Sequence, residues 1–383
     1  MTEAVIVMAK RTPIGKIGGI LSTLEPEKLL APLIQYIVTE TNLPKDMIDD
    51  VIIGNVVGPG GNIARVSALE ADLPITVPGV TIDRQCGSGL EAINIAARLI
   101  QSGAGEVYLA GGVESTSRAP WKMAKPQTLM GIPELYTRAH FTPNSYGDPD
   151  MGIAAENVAK KYAISREEQD RFSLKSHQKA IHSQKTGRFD QEIVPLQVKG
   201  EWITKDECPR SNTSIEKLSK LPPVFQEHGT VTAGNACPLN DGAALVLIMS
   251  LEKCRELNLK PILRVVDAQA AGVDPNYLGI GPIPAVQKVL KRQQLTVDNI
   301  DVVEFNEAFA SQVLASLKEL QIPLDKVNRG GGALAIGHPF GASGAMLMTR
   351  LCAEMLHNPY KKGIATLGIG GGIGLATLVE SVE

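Results

Sequence analysis

Aromatic residues are scarce in this 383-residue chain: Phe, Tyr and Trp together make up only 4% of it. A formal charge of -3 adds no basic face, so neither the electrostatic footprint nor the stacking platform of a nucleic-acid binder is present. The five cysteines (Cys86, Cys208, Cys237, Cys254, Cys352) include no CxxC pair and are odd in number. A disulfide framework and a cysteine-rich zinc site are therefore excluded. No run approaches the ~18 apolar residues that span a bilayer. The first fifteen residues, MTEAVIVMAKRTPIG, lack the basic start and long apolar stretch of a signal peptide. Charged residues are an ordinary 21% and hydrophobic ones 44%, which rules out wholesale disorder. A chain of this length supports two or three domains with large cores. The expectation is a cytoplasmic, soluble enzyme with no nucleic-acid or membrane partner.

Short apolar runs alternate with helical patterns at both ends. Ala4–Met8, Val51–Ile53 and Val107–Ala110 read as strands, with Leu90, Ile93, Ala97 and Ile100 at helical spacing between the last two. The second end repeats the order: Ile262–Val266, Asp301–Phe305, a helix over 342–357 stopped by Asn358-Pro359, then Ile364–Leu367. DRQCGSGLEAINIAARLI (83–100) shares its plan with GHPFGASGAMLMTRLC (337–352), and IDDVIIGN (48–55) echoes NIDVVEFN (299–306). The pattern predicts a duplicated α/β chain, each half a mostly parallel sheet under helices. The middle, 119–239, differs: it has long loops and a helix opened by a capping box at Ser165 and Glu168 and closed at Gly187. It carries sixteen Lys/Arg against fourteen Asp/Glu, which on charge alone reads as a solvated surface.

Three glycine-rich stretches fail as phosphate or nucleophile motifs. GGGALA (330–335) lacks an acidic residue at a strand end ~20 positions on. Gly15-Lys16 is followed by Ile17, and GASG (341–344) lacks the spacer of a G-x-S-x-G elbow. Cys86 is the stronger candidate. It sits in the strand-to-helix turn DRQCGSG, where free amides and the helix dipole are expected to stabilise a thiolate. Gly87 and Gly89 leave room above the sulfur. A lone cysteine is more often a small core residue; the turn shifts the balance toward a nucleophile. His338, between Gly337 and Pro339, suits a base that activates a thiol, with a buried structural histidine as the equal alternative. Asn306-Glu307 follow a strand directly, a position for polar catalytic groups or, equally, for a helix start.

VTIDRQCGSGLEA, GGVESTS (111–117), MGIAAENVA (151–159), GTVTAGNACPLNDGAA (229–244), NEAFA (306–310), GGGALAIGHPFGASGA (330–345) and GIGGGIG (368–374) fall in one order along the whole chain. Together they resemble the thiolase family, as bacterial acetyl-CoA C-acetyltransferases show it. The resemblance implies an α/β thiolase fold: two similar α/β halves forming a layered αβαβα core, with an inserted loop domain. The divisions expected are 1–118 plus about 240–258 for the N-terminal half, 119–239 for a coenzyme A-binding loop domain and 259–383 for the C-terminal half. A homodimer or homotetramer is implied. Coenzyme A is the carrier, and neither a metal nor a redox cofactor is required.

Residue by residue, Cys86 matches the family's acyl-carrying cysteine, His338 the histidine that activates it, and Asn306 the residue that holds a catalytic water. The amides of Cys86 and Gly370 would form one oxyanion hole, His338 and that water the other. Arg210 and Phe225 fall in the stretch that contacts the adenine nucleotide of coenzyme A. Met151, Ala233, Cys237 and Phe309 match the pantetheine tunnel. The departures are as informative. The family's C-terminal C-x-G, whose cysteine is the acid/base at the substrate α-carbon, reads Gly368-Ile369-Gly370 here. Cys237 replaces a serine, and Asp150 stands where many biosynthetic members have histidine. The implied activity is acyl transfer between coenzyme A thioesters by a cysteine thioester, with condensation weakened by Gly368. The alternative is an acyl-CoA-binding or self-acylating protein with little condensing activity. β-Ketoacyl synthases share the Cys–His logic but not this set of motifs.

Overall fold

A computed structural model describes residues 2–382. The chain begins with β1 (Ala4–Arg11), β2 (Gly15–Lys16), α1 (Pro26–Thr41), β3 (Asp50–Gly54), α2 (Ile63–Glu70), β4 (Val80–Ile82), α3 (Ser88–Ser102) and β5 (Val107–Ser115). An excursion follows: hairpin β6 (Lys122–Ala124) and β7 (Glu134–Tyr136), helices α4 (Met151–Lys161) and α5 (Arg166–Lys185), hairpin β8 (Leu196–Val198) and β9 (Glu201–Ile203), and α6 (Ile215–Ser219). The chain returns along β10 (Asn240–Ser250) and α7 (Leu251–Glu256). It finishes with β11 (Leu263–Gly272), α8 (Pro282–Gln293), β12 (Val302–Phe305), α9 (Ala310–Leu320), α10 (Ala333–Ile336), α11 (Phe340–His357), β13 (Lys362–Ile369) and β14 (Ile373–Ser381). Among the described residues, no helix is long and apolar enough to cross a membrane.

The main sheet runs β12-β13-β14-β11-β1-β10-β5-β3-β4, with β2 beside β10. The two halves meet at a short antiparallel seam, Val5 against Arg264 and Ile6 against Leu263. The predicted mostly parallel sheets are in fact mixed. Among the described residues, the strand pairs that run in parallel are β3 with β4, β3 with β5, and β12 with β13. The reason is the return strand of each half. Crossovers through α3 and α11 carry the chain between parallel strands, and the next strand then runs back, β10 against β5 and β14 against β13. In the second half that reversal takes the three glycines 370–372; in the first it takes the whole excursion, 116–239.

α3 and α11 lie between the halves. α11 is buried over fourteen of its eighteen residues, as a helix covered on all sides must be. Its apolar side chains and those of α3 share one core cluster with inward residues of both halves of the sheet. α1 and α2 cover the outer face of the first half and α8 and α9 that of the second, completing the αβαβα layering. α5 begins at the predicted capping box: the Glu168 amide donates to Ser165 Oγ (3.2 Å), and Glu168 Oε2 accepts from the Ser165 amide (2.7 Å).

A buried charge network fastens the excursion to the core. Arg11 on β1 donates to both oxygens of Asp206 (2.7 and 3.0 Å) and to Glu192 (3.0 Å). Arg350 on α11 pairs with Glu192 (3.5 Å) and Glu304 (3.3 Å). The Phe189 ring lies between the two guanidiniums, 5.1 and 4.9 Å from them. Removing one member leaves buried charge without compensation, which is where such pairs are costly. Arg11→Ala is expected to lower unfolding stability by about 3–5 kcal/mol. Urea unfolding checks this, and a loss under ~1 kcal/mol would contradict it.

Candidate active site

Cys86 occupies the turn between β4 and α3. The residue before it, Gln85, has φ 47, a left-handed conformation that strains a non-glycine residue. Local bonds hold it there: the Ser88 hydroxyl donates to Gln85 O (2.6 Å) and accepts from the Arg84 amide (2.8 Å). Cys86 is therefore presented half-buried at the head of α3, and its own amide and that of Gly370 both donate toward the sulfur. Gly370 begins the turn between β13 and β14, where Gly371 and Gly372 have φ 83 and 78. Nearly three hundred residues apart in sequence, the two predicted donors converge on one atom.

His338 lies between α10 and α11, buried, with its amide donating to Asn240 Oδ1 (2.8 Å). Its Nδ1 is 2.6 Å from Ser343 Oγ, whose hydroxyl donates to Pro339 O at 2.8 Å. The serine proton is thus engaged, Nδ1 carries the imidazole proton, and Nε2 keeps its lone pair. Asn306 is buried against the same ring, Nδ2 3.4 Å from Nε2. The helix-start reading of Asn306-Glu307 is corrected, because α9 begins at Ala310 and its N-cap is Phe309. Glu307 instead accepts from Ser176 Oγ (2.6 Å), Asn328 Nδ2 (2.7 Å) and the Leu334 amide (3.2 Å).

The electrostatics overturn one expectation. The thiol of Cys86 is not held as a thiolate; burial pushes it up to about 12, against the pull of the two amides, and the carboxylates of Glu114 and Asp83 add to the rise. Burial likewise lowers His338 to about 4. Desolvation outweighs the helix dipole, so the resting pair is neutral thiol and neutral imidazole.

Gly368 lies on β13 opposite Gly374. A Cβ there would stand 3.1 Å from Gly279 O and 3.4 Å from Gln312 Nε2. Cys237 lies within electrostatic reach of Cys86, and burial raises its thiol pKa further. Phe225 and Phe309 meet edge to face, centroids 6.2 Å apart, with Met151 packed in the same small cluster as Phe309. The Cys237 amide donates to Ala308 O (2.9 Å), joining that wall. Arg210 and Ala233 are exposed. The Arg210 amide donates to His177 Nδ1 (3.1 Å), and among the described residues its side chain makes no hydrogen bond to the aromatic wall. The sequence reading missed Ser343 and Asn240; the signal for Ser343 was a serine four residues after Pro339, one helical turn on.

Residues 4–252 match the profile of the thiolase N-terminal domain and residues 259–381 that of the thiolase C-terminal domain. A Staphylococcus epidermidis protein named "Putative acetyl-CoA C-acetyltransferase VraB" is 51% identical over 382 residues, covering 99% of each chain. Its Staphylococcus aureus namesake is 52% identical over 380 residues, again covering 99% of each. The crystal structure of Bacillus anthracis acetyl-CoA acetyltransferase superposes with a TM-score of 0.94 at 40% identity, covering 100% of this chain and 99% of that one. Human mitochondrial 3-ketoacyl-CoA thiolase in complex with CoA gives 0.94 at 36% identity, covering 100% and 98%.

The neutral pair has a kinetic signature. If His338 takes the thiol proton, alkylation of Cys86 by iodoacetamide should be flat from about pH 5 to 9 and fall below that as His338 protonates near 4. In His338→Ala the plateau should vanish, leaving a rate that climbs about tenfold per pH unit toward 12 instead of levelling near the ~8.5 of a free cysteine. A plateau kept by the variant would show that the amides suffice without the histidine.

Proposed function

The chain belongs to the thiolase family, and from that premise we propose that it transfers acyl groups between coenzyme A thioesters through a thioester on Cys86. The observation that carries this is the convergence of the Cys86 and Gly370 amides on the Cys86 sulfur, together with a buried histidine, its free nitrogen Nε2, ahead of α11, whose first turn packs against that of α3. In the first half-reaction Nε2 accepts the thiol proton as sulfur attacks the carbonyl, and the two amides stabilise the oxyanion. The tetrahedral adduct collapses by expelling coenzyme A thiolate, which takes the proton back from His338. In the second half-reaction the α-carbon of a second acetyl-CoA loses a proton to water, and its enolate, with the Asn306 amide facing the oxygen, attacks the Cys86 thioester and expels the sulfur, which takes up a proton; thiolysis of a 3-ketoacyl-CoA runs the same steps in reverse. Met151, Ala233, Cys237 and Phe309 form the proposed path of the pantetheine arm, with Arg210 and Phe225 toward the nucleotide.

Gly368 supports a qualification. A positioned general base contributes about 10²–10⁴ in rate, and no side chain projects from this position. Acylation needs only His338 and the amides, so it should outrun carbon–carbon bond chemistry. The second reading, a self-acylating protein with little condensing activity, is favoured by this residue alone. Cys237 is a weak substitute, since its raised thiol pKa opposes formation of the thiolate a base would need.

Self-association is proposed from two apolar surfaces. β4 is the edge strand of the sheet, flanked by the exposed Val66, Leu69 and Ile75. Among the described residues, the β6–β7 hairpin pairs with no other strand and exposes Trp121, Leu129 and Met130. A lone hairpin is marginal without a covering surface. Light scattering on the purified protein decides between two and four copies, and a monomer at micromolar concentration would defeat the proposal.

Peptide mass spectrometry after brief incubation with acetyl-CoA should find the acetyl group on Cys86 alone; acetylation at Cys237 instead would sink the assignment. Gly368→Cys should raise acetoacetyl-CoA thiolysis at least about tenfold relative to acylation, while costing about 1–3 kcal/mol of stability because its Cβ crowds Gly279. Cys237→Ser should leave the residual thiolysis rate nearly unchanged. Wild-type thiolysis as fast as acylation, and insensitive to both changes, would remove Gly368 from the account.

A further inference from the structure

A cleft of about 910 Å³ opens between α5, the turn that follows it and the C-terminal end of α11. Its lining includes Lys175, Lys179, Arg188, Arg329 and His357 against one acidic residue, Asp325. Phe172, Lys175, Ser176 and Lys179 recur at three- and four-residue spacing, so one face of α5 forms this wall. His177, which binds the Arg210 amide, lies about 100° round the helix from Ser176 and further from the other wall residues. The cleft is therefore separate from the wall assigned above to coenzyme A.

Two of the cations are already engaged. Arg188 pairs with Glu354, and Lys179 Nζ donates to Val327 O (2.9 Å) beside the buried carboxyls of Glu307 and Glu304. Lys175 is exposed. Neither it nor Arg329 forms an ion pair among the described residues, whereas their neighbours Arg171 and Arg188 do. The Arg329 guanidinium lies 5.0 Å from the centre of the Tyr360 ring, and its buried Nε has no hydrogen-bond partner. A fork fixed by stacking, an ammonium free to move and a space of nucleotide size suit a polyvalent anion better than a single carboxylate.

We propose that this cleft is a binding site for a phosphorylated small anion, with a diphosphate group held between Arg329 and Lys175. Ser176 sits on the floor of the cleft and donates to Glu307 (2.6 Å), the residue after Asn306. A ligand here is thus one hydrogen bond from the strand end that carries Asn306. The binding claim itself does not depend on the proposed reaction.

The test is calorimetric titration of the full-length protein with inorganic pyrophosphate and, separately, with ATP, at fixed low salt, each repeated with coenzyme A in excess. The expected result is one pyrophosphate per chain, displaced by ATP and indifferent to coenzyme A. Lys175→Ala changes an exposed residue and should fold normally; it should weaken binding about tenfold, and Lys175→Ala with Arg329→Ala about a hundredfold. Unfolding midpoints close to wild type certify both variants. Absence of binding, equal binding in wild type and Lys175→Ala, or loss of binding when coenzyme A is added would each overturn the proposal; the last would assign the anion to the coenzyme A site.

Discussion

Glycine lets α3, α11 and β5 meet backbone to backbone. A Cβ at Gly89 would stand 2.6 Å from the Gly341 carbonyl, one at Gly344 2.4 Å from the Leu90 amide, and one at Gly112 1.9 Å from the Gly341 carbonyl. No side chain fits at any of these places. The two central helices therefore begin side by side, and each begins directly after a reactive residue, Cys86 before α3 and His338 before α11. The same approach puts the Gly370 turn over Cys86, since a Cβ at Gly87 would already strike the Ile369 side chain at 2.4 Å. The duplication of the chain supplies two such helix starts and packs them side by side.

Crowding of this kind creates donors that must be satisfied. The amide of Gly341 in the first turn of α11 (3.0 Å) and those of Val56 and Val57 (3.1 Å each) converge on Glu114, which also accepts from Asn55 Nδ2 (3.0 Å). Burial nevertheless raises Glu114 to about 7, so even four donors do not fully offset the loss of water. Cys86 receives only two amides, and its thiol accordingly stays protonated at neutral pH. For the proposed reaction, the comparison explains why a histidine would be needed. Helix dipole and amides are shared features of both groups, and in neither do they overcome desolvation. A base that can take the proton during attack is what remains, and the Ser343 bond keeps Nε2 available for it.

The strands, the two central helices and the capping box at Ser165 were legible because each depends on local spacing, turn residues or a cap within a few positions. Strand direction was not. Parallel and antiparallel strands bury the same alternating side chains, and only the short β13–β14 reversal and the long return of β10 decide the matter. Cys86 and His338 stood out through their glycine-rich turns. Their protonation did not, because a helix start in sequence says nothing of how much water the fold removes. The cationic cleft was invisible for a related reason: sixteen basic and fourteen acidic residues in 119–239 average to almost nothing. The three-residue periodicity of α5 and the arrival of Arg329 from a distant loop gather the basic ones on one face.

Gly368 is set apart from the other glycines by how much room surrounds it. The segment carrying Gly279 and Gly281 presses on the β13–β14 hairpin, and a Cβ at Gly374 would meet Gly281 at 1.9 Å, an impossible contact between backbones. At Gly368 the nearest atom is Gly279 O at 3.1 Å, a crowded distance that a shift of a few tenths of an ångström relieves. Gly374 is glycine because the fold allows nothing else there. Gly368 is under no comparable packing demand, so packing does not account for glycine at this position. On the proposed function, a fold complete for acylation around Cys86, His338 and Gly370 would still lack, at Gly368, the group that handles a proton on carbon.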